Sequence, residues 1–216
     1  MHDEKWLCNL LEPYGLSLGS IETSQLLTYL GLLTRWNPHV NLVSTASPEV
    51  WVRRHFAESL YLSRVITLEG PLIDIGSGAG FPALPLKIVF PDLSITLLEP
   101  VGKKRAFLKE VIRVCNLKGV EVRSERLEDY DPGPRSFSVA TSRAVGHFGE
   151  LVQQVSSFLE DQGRIFVWVS AKQRTELEAV SKWVTWDKPI DIPRTDNSQI
   201  WCGKRKALPR VAGDPV

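Results

Sequence analysis

Three glycines alternate with small residues directly after a short apolar run, where residues 72–81 read LIDIGSGAGF. Glycine adopts positive φ readily and lets a ligand approach the backbone closely. A turn of this kind that opens a helix presents backbone N–H groups to a polar or anionic ligand. The spacing therefore predicts a ligand-binding loop at Gly76, Gly78 and Gly80, and the alternative is a tight turn that binds nothing.

The residues beside the glycines indicate the type of ligand. A dinucleotide fingerprint would need its last glycine at position 81, where this chain has Phe81. Asp74, separated from Gly76 by one residue, suits a ligand with an amino group rather than a pyrophosphate. The amino acid end of S-adenosylmethionine carries such a group. We therefore expect this cofactor, with Asp74, Gly76, Gly78, Gly80 and Phe81 at its site.

Two later segments would complete a nucleoside pocket. Glu99 ends the next apolar run, 19 residues beyond Gly80, and a carboxylate there can accept both hydroxyls of a ribose. The alternative is that Glu99 caps a helix starting near Gly102. After the third apolar run, a backbone N–H at Leu127 or Glu128 could contact the adenine ring. Taken alone, this segment is also typical of a charged loop.

A parallel sheet would bring these segments together, and the sequence from Pro71 onward has the required alternation of strands and helices. Predicted strands lie near 72–75, 95–99, 120–123, 137–141, 164–169 and 198–202. Predicted helices lie near 83–89, 102–115, 148–159 and 174–183. Ser47 and Pro48 are typical of a helix start, and that helix is expected to run to about Val65.

The expected fold is therefore α/β and Rossmann-like, of the S-adenosylmethionine-dependent methyltransferase type. It has a mostly parallel central sheet with helices on both faces. Residues 1–70 are expected to form an N-terminal helical extension packed on the core, residues 71–203 the core, and residues 204–216 a basic, flexible tail.

Charge and composition restrict the partners and the compartment. The net charge is only +1, but residues 101–126 hold eight basic residues against three acidic ones, and residues 204–210 hold four basic residues. A polyanion such as RNA is one interpretation of this asymmetry, and a solvated helix face with a flexible tail is the other. The three cysteines are widely separated, and neither a signal peptide nor an apolar run of about 20 residues is present. A cytoplasmic protein with no metal and no membrane contact is expected.

The ordered set of motifs resembles the RsmG (GidB) family of 16S ribosomal RNA guanine-N7 methyltransferases. The similar residues lie between about 20 and 170, at 36–37, 41–42, 54–60, 74–86, 97–99, 102–108, 126–128 and 142–144. The resemblance implies a cytoplasmic enzyme that methylates N7 of one guanine in the decoding region, on 16S ribosomal RNA or a small-subunit particle. It also implies that Gly76, Phe81, Leu127, Glu128 and Arg143 contact S-adenosylmethionine and that Glu99, more often an aspartate in the family, holds the ribose.

The resemblance also bears on the RNA substrate. It favours RNA contacts at Arg54 and His55, and at Lys103, Lys104 and Arg105 on the basic helix. Family members usually carry a lysine-glycine pair after the fifth strand, whereas this chain has Val169 and Ser170, and the nearest lysine is Lys172. This departure bears on which acceptor is methylated more than on which cofactor is bound.

The chemistry that the resemblance implies needs no general base, because N7 of guanine carries no proton. Arg143, which follows the fourth predicted strand, is expected to help by positioning, and the alternative is a surface ion pair. Two other functions stay open at this point. One is a methyltransferase with a small-molecule or protein acceptor, and the other is a non-catalytic nucleotide-binding or RNA-binding module.

Overall fold

The computed structural model of the protein describes residues 2–133, 136–143, 148–170, 173–180, 182–195 and 198–206. Its N-terminal part is helical, with α1 at Glu4–Leu11, α2 at Ser20–Val40, α3 at Pro48–Trp51 and α4 at Glu58–Leu60. Short 3₁₀ turns occupy Glu12–Tyr14 and Tyr61–Arg64. The Ser47 side chain accepts a hydrogen bond from the Val50 N–H, which confirms the predicted helix start.

A π-helical turn at Val52–Ala57 joins α3 to α4, so the predicted helix at 48–65 is continuous but not uniformly α-helical. Such turns are rare, and they occur often at functional sites. Nothing in the local sequence pattern predicted it.

The central sheet contains strands in the order β3-β2-β1-β4-β5-β8-β6, and β7 pairs with β8. The strands are β1 Leu72–Ile75, β2 Ile95–Leu98, β3 Val120–Arg123, β4 Phe137–Arg143, β5 Leu159–Val169, β6 Val184–Trp186, β7 Ile190–Asp191 and β8 Gln199–Arg205. β1 to β5 pair in parallel, and β8 is antiparallel to β5, β6 and β7. The strand order reverses at β1, between β2 and β4, which is where ligands bind in open parallel sheets.

Helices cover both faces of the sheet, as the strand–helix alternation predicted. They are α5 Ala83–Val89, α6 Gly102–Val114, α7 Phe148–Phe158 and α8 Arg174–Glu178. Leu72 packs with α2, α5 and α6 on one face, whereas Ile73 packs with α7 and α8 on the other. This alternation is the period of two that a strand imposes on its side chains.

The C-terminal part departs from the prediction in two places. The helix expected at 174–183 ends at Glu178, and Val184 begins β6, an additional edge strand paired with β8. β8 continues to Arg205, whose guanidinium donates to Asp161 Oδ1 at 3.0 Å. The tail expected from residue 204 therefore does not begin there, because Lys204 and Arg205 are held by strand pairing. Residues 207–216 lie outside the described residues.

Candidate active site

The glycine loop lies at the carboxyl end of β1, and its glycines have the predicted backbone conformation. Gly76, Gly78 and Gly80 have φ values of 68°, 56° and 91°, in the left-handed region that side chains disfavour. A Cβ at Gly80 would lie 2.6 Å from Leu84 Cδ1 and 2.7 Å from Tyr29 Oη, so this glycine also permits close packing. A Cβ at Gly78 would meet only the Gly76 carbonyl oxygen, at 3.7 Å.

Asp74 is buried at the end of β1, with 1% of its surface exposed. Its Oδ1 accepts a hydrogen bond of 2.6 Å from the Thr141 hydroxyl on β4. Its Oδ2 is buried and has no hydrogen-bond partner among the described residues. Burial raises the pKa of this carboxyl from 3.8 to about 7, although the hydrogen bond from Thr141 and the nearby Ser77 hydroxyl lower it and the Glu99 charge raises it further. The Ser77 hydroxyl itself donates to the backbone carbonyl oxygen of Asp74, at 3.2 Å. A buried acceptor without a donor costs free energy, and a cationic ligand would relieve that cost.

Glu99 connects the glycine loop to the start of α6. One carboxylate oxygen accepts the Gly78 N–H and the other accepts the Val101 N–H, both at 2.8 Å. Val101 is the N-cap residue of α6, so the capping role considered for Glu99 is present in the structure. Each oxygen retains a second lone pair, which leaves the ribose role compatible with this geometry.

A cleft of about 540 Å³ opens beside the glycine loop, within the size range of small-molecule sites. It is lined by the ends of β1 and β2, by residues 125–128 and by one face of α7. Of the residues expected at the cofactor, Gly76, Leu127 and Glu128 line the cleft, whereas Asp74, Gly78, Gly80, Phe81, Glu99 and Arg143 are not among its lining residues.

One face of α7 belongs to the cleft although sequence reasoning did not place it there. Glu150, Leu151 and Gln154 line the wall, and the Gln154 Nε2 donates to the Leu127 carbonyl oxygen at 2.6 Å. Gln154 therefore holds the 3₁₀ turn Leu127–Asp129. The spacing of three and four residues is the signal that could have found this face, because it is the spacing of one helix side.

The N-terminal helices support the glycine loop through an aromatic cluster. The Phe81 ring stacks between Tyr29, at 5.4 Å between centroids, and His55, at 5.1 Å. Phe56 meets it edge-on at 5.0 Å, and the Tyr29 hydroxyl donates to the carbonyl oxygen of Ala79 inside the loop. The Phe81 side chain is 7% exposed, so its ring serves mainly to join the two parts of the chain.

His55 is half-buried. Burial lowers its pKa to about 3, and the charges of Arg143 and Arg54 lower it further. These surroundings disfavour the cation, so the ring is neutral near pH 7. The adjacent Arg54 is exposed.

Arg143, the last residue of β4, forms a buried ion pair with Glu58 of α4. Their nitrogen and oxygen atoms are 2.7 Å apart, and the side chains are 15% and 7% exposed. The guanidinium also donates to the carbonyl oxygens of His55, at 3.5 Å, and of Arg54. Trp168 of β5 donates its Nε1–H to the Glu58 carbonyl oxygen at 2.8 Å. The ion pair considered for Arg143 is thus present, but it is buried rather than on the surface. The sequence did not indicate that Glu58 and Trp168 take part in this arrangement.

Comparison with known proteins decides the family. A model described as rRNA small subunit methyltransferase G, GidB, matches residues 22–197. The chain belongs to this family. It is 37% identical over 202 aligned positions to a Ribosomal RNA small subunit methyltransferase G of Chloroflexus aggregans, covering 88% of this chain and 84% of that relative. It is 37% identical over 224 aligned positions to the protein of the same name from Leuconostoc mesenteroides, covering 95% of this chain and 94% of that relative.

Solved structures share the fold at low sequence identity. A tRNA methyltransferase of Aquifex aeolicus superposes with a TM-score of 0.58 at 14% identity, covering 70% of this chain and 69% of that one. TYW2 of P. horikoshii in complex with MeSAdo superposes with a TM-score of 0.53 at 17% identity, covering 69% and 61%. These likenesses and the family match confirm the predicted fold class and the prediction that the protein is an rRNA methyltransferase.

In this methyltransferase the basic helix α6 is only partly free to meet a polyanion. Lys103 is exposed and Lys104 is half-buried. Arg105 is used within the protein, because its Nη1 donates to the carbonyl oxygens of Glu99, at 3.0 Å, and Pro100, at 2.6 Å. Arg113 and other arginines of this basic region form exposed ion pairs with nearby glutamates.

The position where the family usually has a lysine-glycine pair lies at the end of β5. Val169 is buried there, and Ser170 is exposed, with its N–H and hydroxyl both donating to Gln173 Oε1 at 3.0 Å. Lys172, the expected substitute for the family lysine, lies outside the described residues.

Within residues 2–133, 136–143, 148–170, 173–180, 182–195 and 198–206, no three or more histidine, cysteine, aspartate or glutamate side chains are grouped so as to hold a metal ion. In the same ranges, no helix combines the length and apolar character that crossing a bilayer would need.

Proposed function

We propose that this methyltransferase transfers the methyl group of S-adenosylmethionine to N7 of one guanine in the decoding region of 16S ribosomal RNA, in the cytoplasm. The family membership supports the RNA substrate, since the relatives are named for the small ribosomal subunit. The observation that carries the cofactor proposal is the buried, unpartnered Oδ2 of Asp74 beside the glycine loop.

The residues present fit S-adenosylmethionine at each of its polar parts. Asp74 would hold the ammonium group, and Glu99 the ribose hydroxyls. A backbone N–H at Leu127 or Glu128, both of which line the cleft, would meet the adenine. The bound cofactor supplies an electrophilic methyl group. The solved relative of this fold in complex with MeSAdo supports a nucleoside ligand of this kind.

The proposed acceptor requires no general base in the site. N7 has an in-plane lone pair and no proton, so the protein only needs to align acceptor and donor, an effect worth roughly 7–11 kcal/mol in good intramolecular models. The product guanine is cationic, and the carboxylates of Glu125, Glu128 and Glu150 around the cleft favour a cation. The Val169–Ser170 departure favours the alternative, a different acceptor, and the experiment below distinguishes the two.

RNA contacts are proposed at Arg54, which is exposed, and at Lys103 and Lys104 on α6. His55, Arg105 and Lys172 complete the set of proposed RNA contacts. His55 would act as a neutral ring, given its lowered pKa. Arg143 is proposed to act by positioning.

The test is methylation by the purified protein of small-subunit particles and naked 16S ribosomal RNA from a strain lacking the gene. Borohydride and aniline cleavage then locates 7-methylguanine. We expect a single cleavage site in the decoding region, absent when S-adenosylmethionine is omitted. Incorporation of the methyl group into protein, or at a base position that does not cleave, would reject the proposed acceptor.

A further inference from the structure

The ion pair between Glu58 and Arg143 is costly for a protein to keep. Both side chains are largely removed from water. Moving two charges out of water incurs a penalty that their attraction often does no more than repay, and apolar replacements of similar volume are often as stable. A role other than stability would account for it.

The hydrogen bonds of the pair indicate what it holds in place. Besides Glu58, the Arg143 guanidinium donates to the carbonyl oxygens of Arg54 and His55, which lie in the π-helical turn. The Ser59 hydroxyl also donates to the His55 carbonyl oxygen, at 2.5 Å. A π turn is rare because its geometry is less favourable than that of an α-helix, so it benefits from support outside the helix.

The other end of the pair lies at the substrate edge of the sheet. Arg143 ends β4, and its register partner on β5 is Trp168. Trp168 makes its own bond to the Glu58 carbonyl oxygen. The turn is thus attached to two neighbouring strands at their carboxyl ends, where ligands of parallel sheets bind.

The turn presents one group suited to RNA. Arg54 is exposed, and its side chain makes no hydrogen bond or ion pair with the described residues. Its neighbour His55 is fixed against Phe81 at the end of the glycine loop. The direction of the Arg54 side chain therefore depends on a turn whose carbonyl groups Arg143 holds.

We propose that Glu58 and Arg143 form a clamp that positions the π-helical turn so that Arg54 meets a phosphate of the RNA substrate. In this arrangement Glu58 is a positioning residue that acts through Arg143, and loosening the clamp lowers RNA affinity more than cofactor affinity. The inference rests on the proposed function, since it takes RNA as the substrate.

Two variants and one control test the clamp. Arg143→Lys keeps the charge beside Glu58 and so keeps the fold, but an ammonium cannot reproduce the planar fork that reaches a carboxylate and two carbonyl groups. The double variant Glu58→Met with Arg143→Met replaces the pair by apolar side chains. Glu49→Gln, which breaks the exposed pair with Arg53 at 3.2 Å in the same segment, is the matched control.

Calorimetry with S-adenosylhomocysteine and steady-state methylation of RNA separate the two affinities. We expect Arg143→Lys and the double variant to raise KM for RNA about tenfold, which corresponds to losing one charge-assisted hydrogen bond, and to change the cofactor Kd much less. Glu49→Gln should match wild type. Arg54→Ala should also raise KM, and adding it to Arg143→Lys should cause little further loss, because both act on one contact.

Three outcomes would contradict the clamp. An unchanged KM for RNA in Arg143→Lys would show that the pair is only structural. A parallel loss of cofactor affinity would assign Arg143 to the cofactor instead. Full additivity of Arg54→Ala with Arg143→Lys would mean that the two residues act independently. If wild type itself transfers no methyl group to RNA, the proposed function fails, which is distinct from failure of the clamp.

Discussion

Asp74→Asn is the substitution that most directly probes the buried carboxyl at the end of β1. Asparagine keeps an acceptor for the Thr141 hydroxyl, which donates to Asp74 Oδ1 at 2.6 Å, and removes the ionisable group. Burial raises the pKa of this carboxyl from 3.8 to about 7. We therefore expect Asp74→Asn to become more stable relative to wild type as pH rises, and to bind the cofactor more weakly than wild type does.

The sign of the stability effect follows from which state binds the proton. Because the folded-state pKa is the higher one, the unfolded chain ionises first as pH rises, and wild-type stability falls between the two pKa values. The complete loss is about 4 kcal/mol, of which about 2.5 kcal/mol falls between pH 5 and pH 8. Above about pH 7 the loss is complete and stability levels off with respect to this group.

The assay is urea unfolding of both proteins without cofactor at about pH 5, 6, 7 and 8. The unfolding free energy of Asp74→Asn relative to wild type should increase by about 2.5 kcal/mol from pH 5 to pH 8. The comparison uses only how this difference in unfolding free energy changes with pH. A contribution that does not depend on pH, such as burial of the new amide, therefore cancels. Asp92→Asn makes the same carboxyl-to-amide change at an exposed aspartate and is the control. A difference that stays level over this range would refute the reasoning.

Cofactor binding provides a second test of the Asp74 carboxyl. If Asp74 holds the ammonium group, binding at pH 6 ionises it and releases about one proton, because the free carboxyl is mostly protonated there. Calorimetry in phosphate and Bis-Tris buffers, which both buffer near pH 6 but differ in ionisation enthalpy, measures that release from the difference in enthalpy. Asp74→Asn should release none and should bind about tenfold more weakly or worse. A wild-type enthalpy that is the same in both buffers would remove Asp74 from the ammonium site.

Four further predictions concern the loop, the cleft, the reaction and the RNA surface. Gly80→Ala should lower the free energy of unfolding by about 2 kcal/mol more than Gly78→Ala, because only the former Cβ would clash, at 2.6 Å; equal losses in urea unfolding would contradict this. Gln154→Ala should weaken cofactor binding about tenfold in calorimetry, whereas Gln153→Ala, its exposed neighbour, should not. The single-turnover rate with saturating RNA and saturating cofactor should stay level from about pH 6 to 9, and a tenfold rise per pH unit would indicate an obligatory base and a proton-bearing acceptor. Lys103→Ala should weaken RNA binding and reduce the slope of its salt dependence by about one in filter-binding titrations, and an unchanged slope would leave this lysine as a solvated side chain.

Local features of the chain were predictable because short-range physics determines them. The glycines at 76, 78 and 80 adopt positive φ because the turn demands it, and the apolar run before them forms β1. Ser47 caps its helix, and the alternation of strands with helices predicts the parallel sheet. The order of the site motifs along the chain was sufficient to indicate the family.

The features that the sequence did not predict are those that contacts with residues distant in sequence determine. His55 has an ordinary sequence context, yet burial against Phe81 and the charge of Arg143 lower its pKa to about 3. Lys204 and Arg205 look like the start of a tail, but pairing of β8 with β5 and β6 incorporates them into the sheet.

The sequence by itself thus determined the glycine loop, the layered α/β architecture and the acidic residues that follow the strands. Only the tertiary structure decided how they are held. Tyr29 bonds to Ala79 across 50 positions, Asp74 meets Thr141 across 67, and Glu58 meets Arg143 across 85. Periodicity and turn chemistry report on neighbours within a few residues, whereas these contacts form only when distant segments pack together, β1 beside β4 and the N-terminal helices on the sheet. Burial in that packed state, which no local pattern encodes, then sets the charge of Asp74 and of His55.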